Sequence, residues 1–295
     1  MREDGRQGQD GMTYSELADS GVSRLKEAGF EEARMDVRHL LLHVSGKNPV
    51  ALLCDGAEEV PEEQVQSFYR LLEQRMQHIP VQYITGEQEF CGLKFLVRPG
   101  VLIPRPETEL LAEAVIRDSA GKRVLDLCTG SGCIAVAVAV LGTPEFTAAT
   151  DCSEQALQTA RENAALHSAE ITFFQGDLLE SVTGEYDIIV SNPPYICSGV
   201  IDGLMPEVRD FEPRPALDGG EDGLYFYRRI CREAKGYLRK NGRLLLEIGY
   251  DQGRAVEELL LAEGYQEIEV KKDYAGLDRM VFAVLPDKNK ENNNV

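Results

Sequence analysis

Two short stretches of this chain carry residue types at spacings that could do chemistry. The first is Asn192-Pro193-Pro194-Tyr195, directly after the apolar run Asp187-Ile188-Ile189-Val190-Ser191. Two prolines after a buried strand end its ladder and stiffen the backbone. The residue before a proline is itself held extended, so the chain makes a rigid corner. There the Asn192 side-chain oxygen and the Pro193 carbonyl can accept both hydrogens of a planar amino group, an amide or an exocyclic amine. Holding the nitrogen in this way favours charge developing on it in a transition state. The Tyr195 ring can stack on the planar group. Rate would come from positioning and electrostatics, with no metal and no covalent intermediate. The plainer alternative is a structural Pro-Pro turn with Tyr195 as a core aromatic.

The second stretch is Cys128-Thr129-Gly130-Ser131-Gly132, which follows Val124-Leu125-Asp126-Leu127 and opens a helix. Gly130 and Gly132 let backbone approach a ligand closely, and amides at a helix start can bind an anionic group. Asp151 lies 25 residues after Asp126, where the next strand should end. An acid there can accept hydrogen bonds from ribose hydroxyls. The absence of a G-x-G-x-x-G run disfavours NAD. The Asp126-to-Gly132 order, Asp-x-Cys-x-Gly-x-Gly, resembles the first motif of S-adenosylmethionine-dependent methyltransferases. Glycine usually stands there in place of Cys128; a cysteine fits if its φ is negative. A nitrogen held at the first stretch would then face the methyl group of that cofactor.

These stretches need a frame. From residue 104 onward strands and helices alternate. Strands are expected at 123–127, 146–150, 171–175, 186–191, 243–248, 266–270 and 280–285. Helices are expected at 132–141, 153–167, 224–239 and 252–262. The last two strands leave no room for a helix between them. That pattern implies an α/β fold, a seven-stranded and mostly parallel sheet with one antiparallel member, in a domain spanning 104–286. Residues 12–79 read as a small helical domain. Thr13 and Glu16 have capping-box spacing, further helices are expected at 31–44 and 61–77, and a short one at 49–54. Residues 80–103 read as a linker hairpin, with a strand at 90–97. The ends, 1–11 and 287–295, are polar tails.

Composition narrows the function. The chain has 295 residues, with 31 Lys and Arg against 50 Asp and Glu, a net charge of −19. Such a balance argues against a general electrostatic grip on nucleic acid. The longest small-apolar run, 133–141, falls far short of the ~20 residues of a membrane span. The polar N-terminus is no signal peptide. Seven scattered cysteines without a CxxC pair point to neither zinc nor a disulfide framework. A cytoplasmic protein is expected.

Further segments sharpen the resemblance. They are Pro80-Val81-Gln82-Tyr83-Ile84-Thr85-Gly86, Val101-Leu102-Ile103-Pro104-Arg105-Pro106-Glu107-Thr108-Glu109, Glu212-Pro213-Arg214-Pro215-Ala216-Leu217, Leu246-Glu247-Ile248-Gly249 and, in the helical domain, Ala33-Arg34-Met35-Asp36-Val37-Arg38. With the two motifs they make the chain similar to the peptide chain release factor glutamine methyltransferase family over roughly residues 13–285. The resemblance implies a Rossmann-like methyltransferase domain and methylation of the side-chain nitrogen (N5) of the glutamine in the Gly-Gly-Gln loop of bacterial class I release factors. It implies S-adenosylmethionine as methyl donor and S-adenosylhomocysteine as product. Cys128, Thr129, Gly130, Ser131 and Gly132 would bind the cofactor, Asp151 its ribose, and Asp177 and Leu178 would lie by the adenine. Asn192 would touch both cofactor and acceptor, and Pro193, Pro194 and Tyr195 would complete the amide clamp. The helical domain would help dock the release factor, and the enzyme would be a monomer without direct nucleic-acid contact. A glutamine of a ribosomal protein, an exocyclic amine of a nucleic acid and cofactor binding without catalysis remain the rival readings.

Several other residues stay open. Arg105, Glu107 and Glu109 could line a cofactor mouth or simply start a helix. Glu247 could face a pocket or cap a turn. His39 and His43, four apart, read as a solvated or core-edge pair rather than metal ligands. Glu58, Glu59, Glu62 and Glu63 read as a solvated face.

Overall fold

The computed structural model describes residues 11–287. The expected terminal tails lie outside these residues, apart from Gly11 and Asp287. The chain divides into two compact units, with the boundary between Gly86 and Glu87.

The first unit is helical: α1 (Tyr14–Glu27), α2 (Ala33–Ser45), α3 (Pro49–Cys54), α4 (Glu62–Met76) and α5 (Val81–Thr85). The capping box forms as spaced. The Thr13 hydroxyl accepts from the Glu16 amide and the Glu16 carboxylate accepts from the Thr13 amide at 2.8 Å. Leu17 and Leu25 of α1, Leu40 of α2 and Phe68 and Leu72 of α4 are fully buried together. An ion pair is buried with them: Arg75 donates to Asp36 at 2.7 Å, and its guanidinium lies 4.2 Å from the centre of the Phe30 ring. The helix α5, ended by Gly86 at φ 77, was not expected from the sequence.

The second unit opens with a hairpin, β1 (Glu87–Phe90) and β2 (Leu93–Leu96), paired Phe90 with Leu93. The expected single strand over 90–97 is therefore two strands, turned at Cys91 and Gly92, both at positive φ. A two-residue turn with φ positive at both positions matches the twist of its flanking strands. The hairpin belongs to this unit rather than standing between two. Cys91 donates its amide to Glu109 at 3.1 Å. The fully buried Asn163 accepts from Leu96 at 2.7 Å and returns a bond to the Leu96 carbonyl at 3.0 Å.

There follow α6 (Pro106–Asp118), β3 (Arg123–Leu127), α7 (Cys133–Leu141), β4 (Phe146–Asp151), α8 (Glu154–Leu166), β5 (Thr172–Gln175), β6 (Tyr186–Ser191), α9 (Pro206–Phe211), α10 (Arg214–Leu217), α11 (Tyr225–Glu233), β7 (Leu238–Glu247), α12 (Gly253–Ala262), β8 (Gln266–Lys272) and β9 (Asp278–Val284). The seven strands order as β5-β4-β3-β6-β7-β9-β8. Only β9 runs against its neighbours. Strand β3, RVLDL, is buried on both faces, and α7, CIAVAVAVL, is apolar nearly all round because it is enclosed by its neighbours. Strand order reverses at β3, where β4 leaves to one side and β6 to the other. In open α/β sheets such a reversal leaves a crevice at the carboxyl ends of the strands.

One expected helix is shorter than the sequence suggested. The helix placed at 224–239 ends at Glu233, passes through a 3-10 turn at Ala234–Gly236, and yields Leu238 to β7, where it pairs with Tyr186. Burying Leu238 at the sheet edge outweighs two more helical residues beyond Gly236. The short helices α9 and α10 were not expected.

Candidate active site

The carboxyl edge of the sheet gathers Asp126 and the loop after β3, Asp151 at the end of β4, Asp177 after β5, Asn192 after β6 and Glu247 at the end of β7. The loop after β3 is held from below. Asp126, fully buried, accepts from the Thr129 hydroxyl at 2.6 Å and from the Ala135 amide at 3.2 Å, while the Thr129 amide donates to the Thr150 carbonyl at 3.0 Å. Burial pushes the Asp126 carboxyl up to about 7. Its role as the clamp of the loop was missed from sequence, although it begins the motif.

Cys128, Gly130 and Gly132 take φ of 57, 57 and 81. The expectation of a negative φ at Cys128 is therefore corrected: a side chain occupies a left-handed position that favours glycine. The loop is fixed at both ends by β3 and the Asp126 clamp, which hold the residue there. The two glycines differ in use. A Cβ on Gly130 would meet nothing within 4 Å, so the space beside it is open to the cleft. A Cβ on Gly132 would lie 2.9 Å from that of Ala160, so this glycine lets α7 and α8 pack closely.

Asp151 accepts from the Gly130 amide and the Ser153 amide, each at 2.9 Å, one per carboxylate oxygen. Burial raises its pKa against these two donors. Leu178 sits at φ 53 and is buried, with its carbonyl accepting from the Thr150 hydroxyl at 3.2 Å. Asp177 is exposed and pairs with Arg229 at 2.7 Å.

Asn192 donates through Nδ2 to the Thr108 hydroxyl oxygen at 3.1 Å, which leaves Oδ1 for a donor entering the cleft. No donor among the described residues reaches the Pro193 carbonyl. The corner is anchored beyond it, where Gln252 donates to the Tyr195 carbonyl at 3.0 Å and Ile196 to that of Leu217 at 2.9 Å.

One cleft is lined by Cys128, Thr129, Gly130, Ser131, Asp151, Asp177, Leu178, Asn192 and Pro194. Gly132, Pro193 and Tyr195 do not line it. Tyr195 faces a separate pocket with Gly249, Gln252 and Arg279, and its hydroxyl donates to Glu247 Oε1 at 3.4 Å. Burial, and then the Glu247 charge, raise the Tyr195 pKa. Of the open residues, Arg105 lines the cleft and pairs with the buried Glu212 at 2.5 Å, Glu107 is exposed, and Glu109 holds the hairpin. Burial raises the Glu212 pKa and Arg105 opposes it. Pro213, Pro215 and Phe226 also line the wall; the two prolines belong to a segment that carries the family resemblance, but only the short helices after Asn192 bring them to the cleft.

The fold and this cleft define a Rossmann-like methyltransferase. Residues 104–202 match the methyltransferase small domain and residues 16–86 the PrmC N-terminal domain. A methyltransferase from Pyrococcus furiosus has the same fold, with a TM-score of 0.54 and 19% identity over 67% of this chain and 91% of that one. The release factor glutamine methyltransferase of Neisseria gonorrhoeae is 44% identical, covering 92% of this chain and 97% of its own. That of Thermodesulfovibrio yellowstonii is 41% identical, covering 84% and 91%. The chain belongs to the release factor glutamine methyltransferase family. Among the described residues no helix is long and apolar enough to cross a membrane.

Proposed function

We propose that this chain transfers a methyl group from S-adenosylmethionine to the side-chain nitrogen (N5) of the glutamine in the Gly-Gly-Gln loop of a bacterial class I release factor, leaving S-adenosylhomocysteine. The observation that carries this reading is the corner after β6. Asn192 gives its amino end to Thr108, and the Pro193 carbonyl carries no protein donor among the described residues. Two acceptors on a rigid turn suit the two hydrogens of a primary amide.

The cleft residues fit the cofactor. The space beside Gly130 is open, Asp151 keeps lone pairs for ribose hydroxyls beyond its two backbone donors, and Leu178 offers an apolar face to an adenine. When bound, the cofactor supplies a methyl group on a positively charged sulfur. Asn192 and Pro193 hold the acceptor nitrogen in line and stabilise the positive charge it gains, and one of its two hydrogens then leaves to solvent as a proton. Tyr195 acts from the far side of the corner, through its hydroxyl, rather than as a ring stacked in the cleft. The enzyme works in the cytoplasm as a monomer, the helical unit docks the release factor, and no nucleic acid is bound directly.

Removing one such donor or acceptor typically costs about 10²–10³ in turnover. Asn192→Ala should therefore lower methyl transfer to release factor by about 10²-fold or more, while cofactor affinity, by calorimetry, falls only a few-fold. Near-normal turnover in that variant would sink the clamp.

A further inference from the structure

Arg105 has no part in the amide clamp, yet it stands in the cleft wall three residues before Thr108, the partner of Asn192. Among the described residues that line the cleft it is the one cation; Asp151 and Asp177 are the acids. Its Nη2 donates to Glu212 Oε2 at 2.5 Å. The Glu212 side chain is 1% exposed and that of Arg105 33%. A buried carboxylate thus holds the guanidinium from one side, while its other side meets the cleft. No acceptor among the described residues takes Nε or Nη1, so donors of the planar fork remain for a ligand.

Three arms meet at the sulfur of S-adenosylmethionine. The adenosyl arm is assigned to Asp151 and Leu178, and the methyl must face Asn192 for transfer. The third arm is an amino acid and ends in a carboxylate. An anion entering a cleft that already holds two acids needs a cation or a set of free amides. The start of α7 is the other anion site on this cleft, but its Ala135 amide serves the buried Asp126 and the Gly132 amide serves the Thr129 carbonyl. Arg105 lies at the Asn192 end of the cleft, where the sulfur must stand.

We propose that Arg105 is the counter-ion of the carboxylate on the cofactor's amino-acid arm, and that Glu212 is the positioning residue that aims its guanidinium there. This inference rests on the reading of the cleft as an S-adenosylmethionine site. Glu212 directly follows α9, and Pro213 and Pro215 beyond it line the cleft, so the same ion pair fixes that wall against the start of α6. Arginine suits the task because its fork can serve two carboxylates at once, whereas a lysine presents one point charge.

The test reads binding by calorimetry. It compares the Kd of S-adenosylmethionine with that of its decarboxylated form, which keeps the sulfonium, the adenosyl arm and the amine. The proteins are the wild type, Arg105→Met, Arg105→Lys, Glu212→Gln and the double variant Arg105→Met/Glu212→Gln, with circular dichroism and release-factor KM on each. The wild type should prefer the carboxylate form by about ten- to hundred-fold. Arg105→Met should erase that preference and leave the Kd of the decarboxylated form within about threefold. Arg105→Lys should keep part of the preference, and Glu212→Gln should lower it several-fold. The double variant leaves no buried carboxylate unpaired, so it decides should Arg105→Met fail to fold. A wild type without the preference, an Arg105→Met enzyme that retains it, or an equal loss for both forms in that variant overturns the inference. An equal loss would mark a merely structural residue. A rise in release-factor KM with the preference intact also overturns it, and would give Arg105 to the acceptor. Should the wild type bind neither form, the cofactor reading falls and this inference with it.

Discussion

At Cys128 the backbone holds a φ of 57 with a side chain attached, just ahead of glycines at 130 and 132 that adopt the same region freely. A left-handed residue with a Cβ costs roughly 1–2 kcal/mol. Cys128→Gly relieves that cost but removes a side chain packed against the core beside Leu127 and Leu178. The two effects oppose, so its unfolding free energy should shift by under about 1 kcal/mol. Cys128→Val puts a branched side chain in the same region and should cost about 2 kcal/mol, read by denaturant unfolding. Residue types marked the loop after β3 that lines the cleft; they could not tell that Cys128 is left-handed, because φ there is set by the strand before it and the Asp126 clamp. Glu247 was equally opaque. One acid in Leu246-Glu247-Ile248-Gly249 looks like any strand end until the fold buries it with the Tyr195 hydroxyl donating to it.

Between elements, Asn163 of α8 ties three parts together. It closes two bonds with Leu96 of β2 and donates to the Ser131 carbonyl of the loop after β3 at 2.9 Å. Asn163→Leu strands those buried partners, and each unsatisfied group costs about 1–3 kcal/mol. The variant should lose about 3 kcal/mol in denaturant unfolding and bind cofactor more weakly, because Ser131 is released; unchanged stability would show that the hairpin needs no such tie. The alternation of strands and helices from 123 onward was legible because the sheet is buried on both faces and its strands read as apolar runs. The hairpin turn was not, since Cys91-Gly92 lacks the Asn-Gly signature and Phe90 and Phe95 on either side read as one alternating strand. The short helices α9 and α10, rich in proline, have no period long enough to read; packing decides them.

Across the whole molecule, Asp126 and Glu247 bind protons more tightly folded than unfolded, since burial raises both to about 7. Between the ordinary carboxylate range and pH 7 the native state thus holds more protons, and their contribution to stability falls as pH rises through that window. The melting temperature should drop between pH 5 and 8, and Glu247→Gln should drop less; a rise over that range would contradict the burial of these charges. The net charge of −19 adds self-repulsion in the same direction. The acceptor is the least legible feature at this scale, because the proposed amide-holding corner would meet only the amide. The decisive measurement combines labelled S-adenosylmethionine with purified release factor, wild type and with its loop glutamine changed to alanine. Label in the wild-type factor alone, mapped to that glutamine by peptide mass analysis, is the expected result. Label in neither factor, with cofactor binding intact, would contradict it.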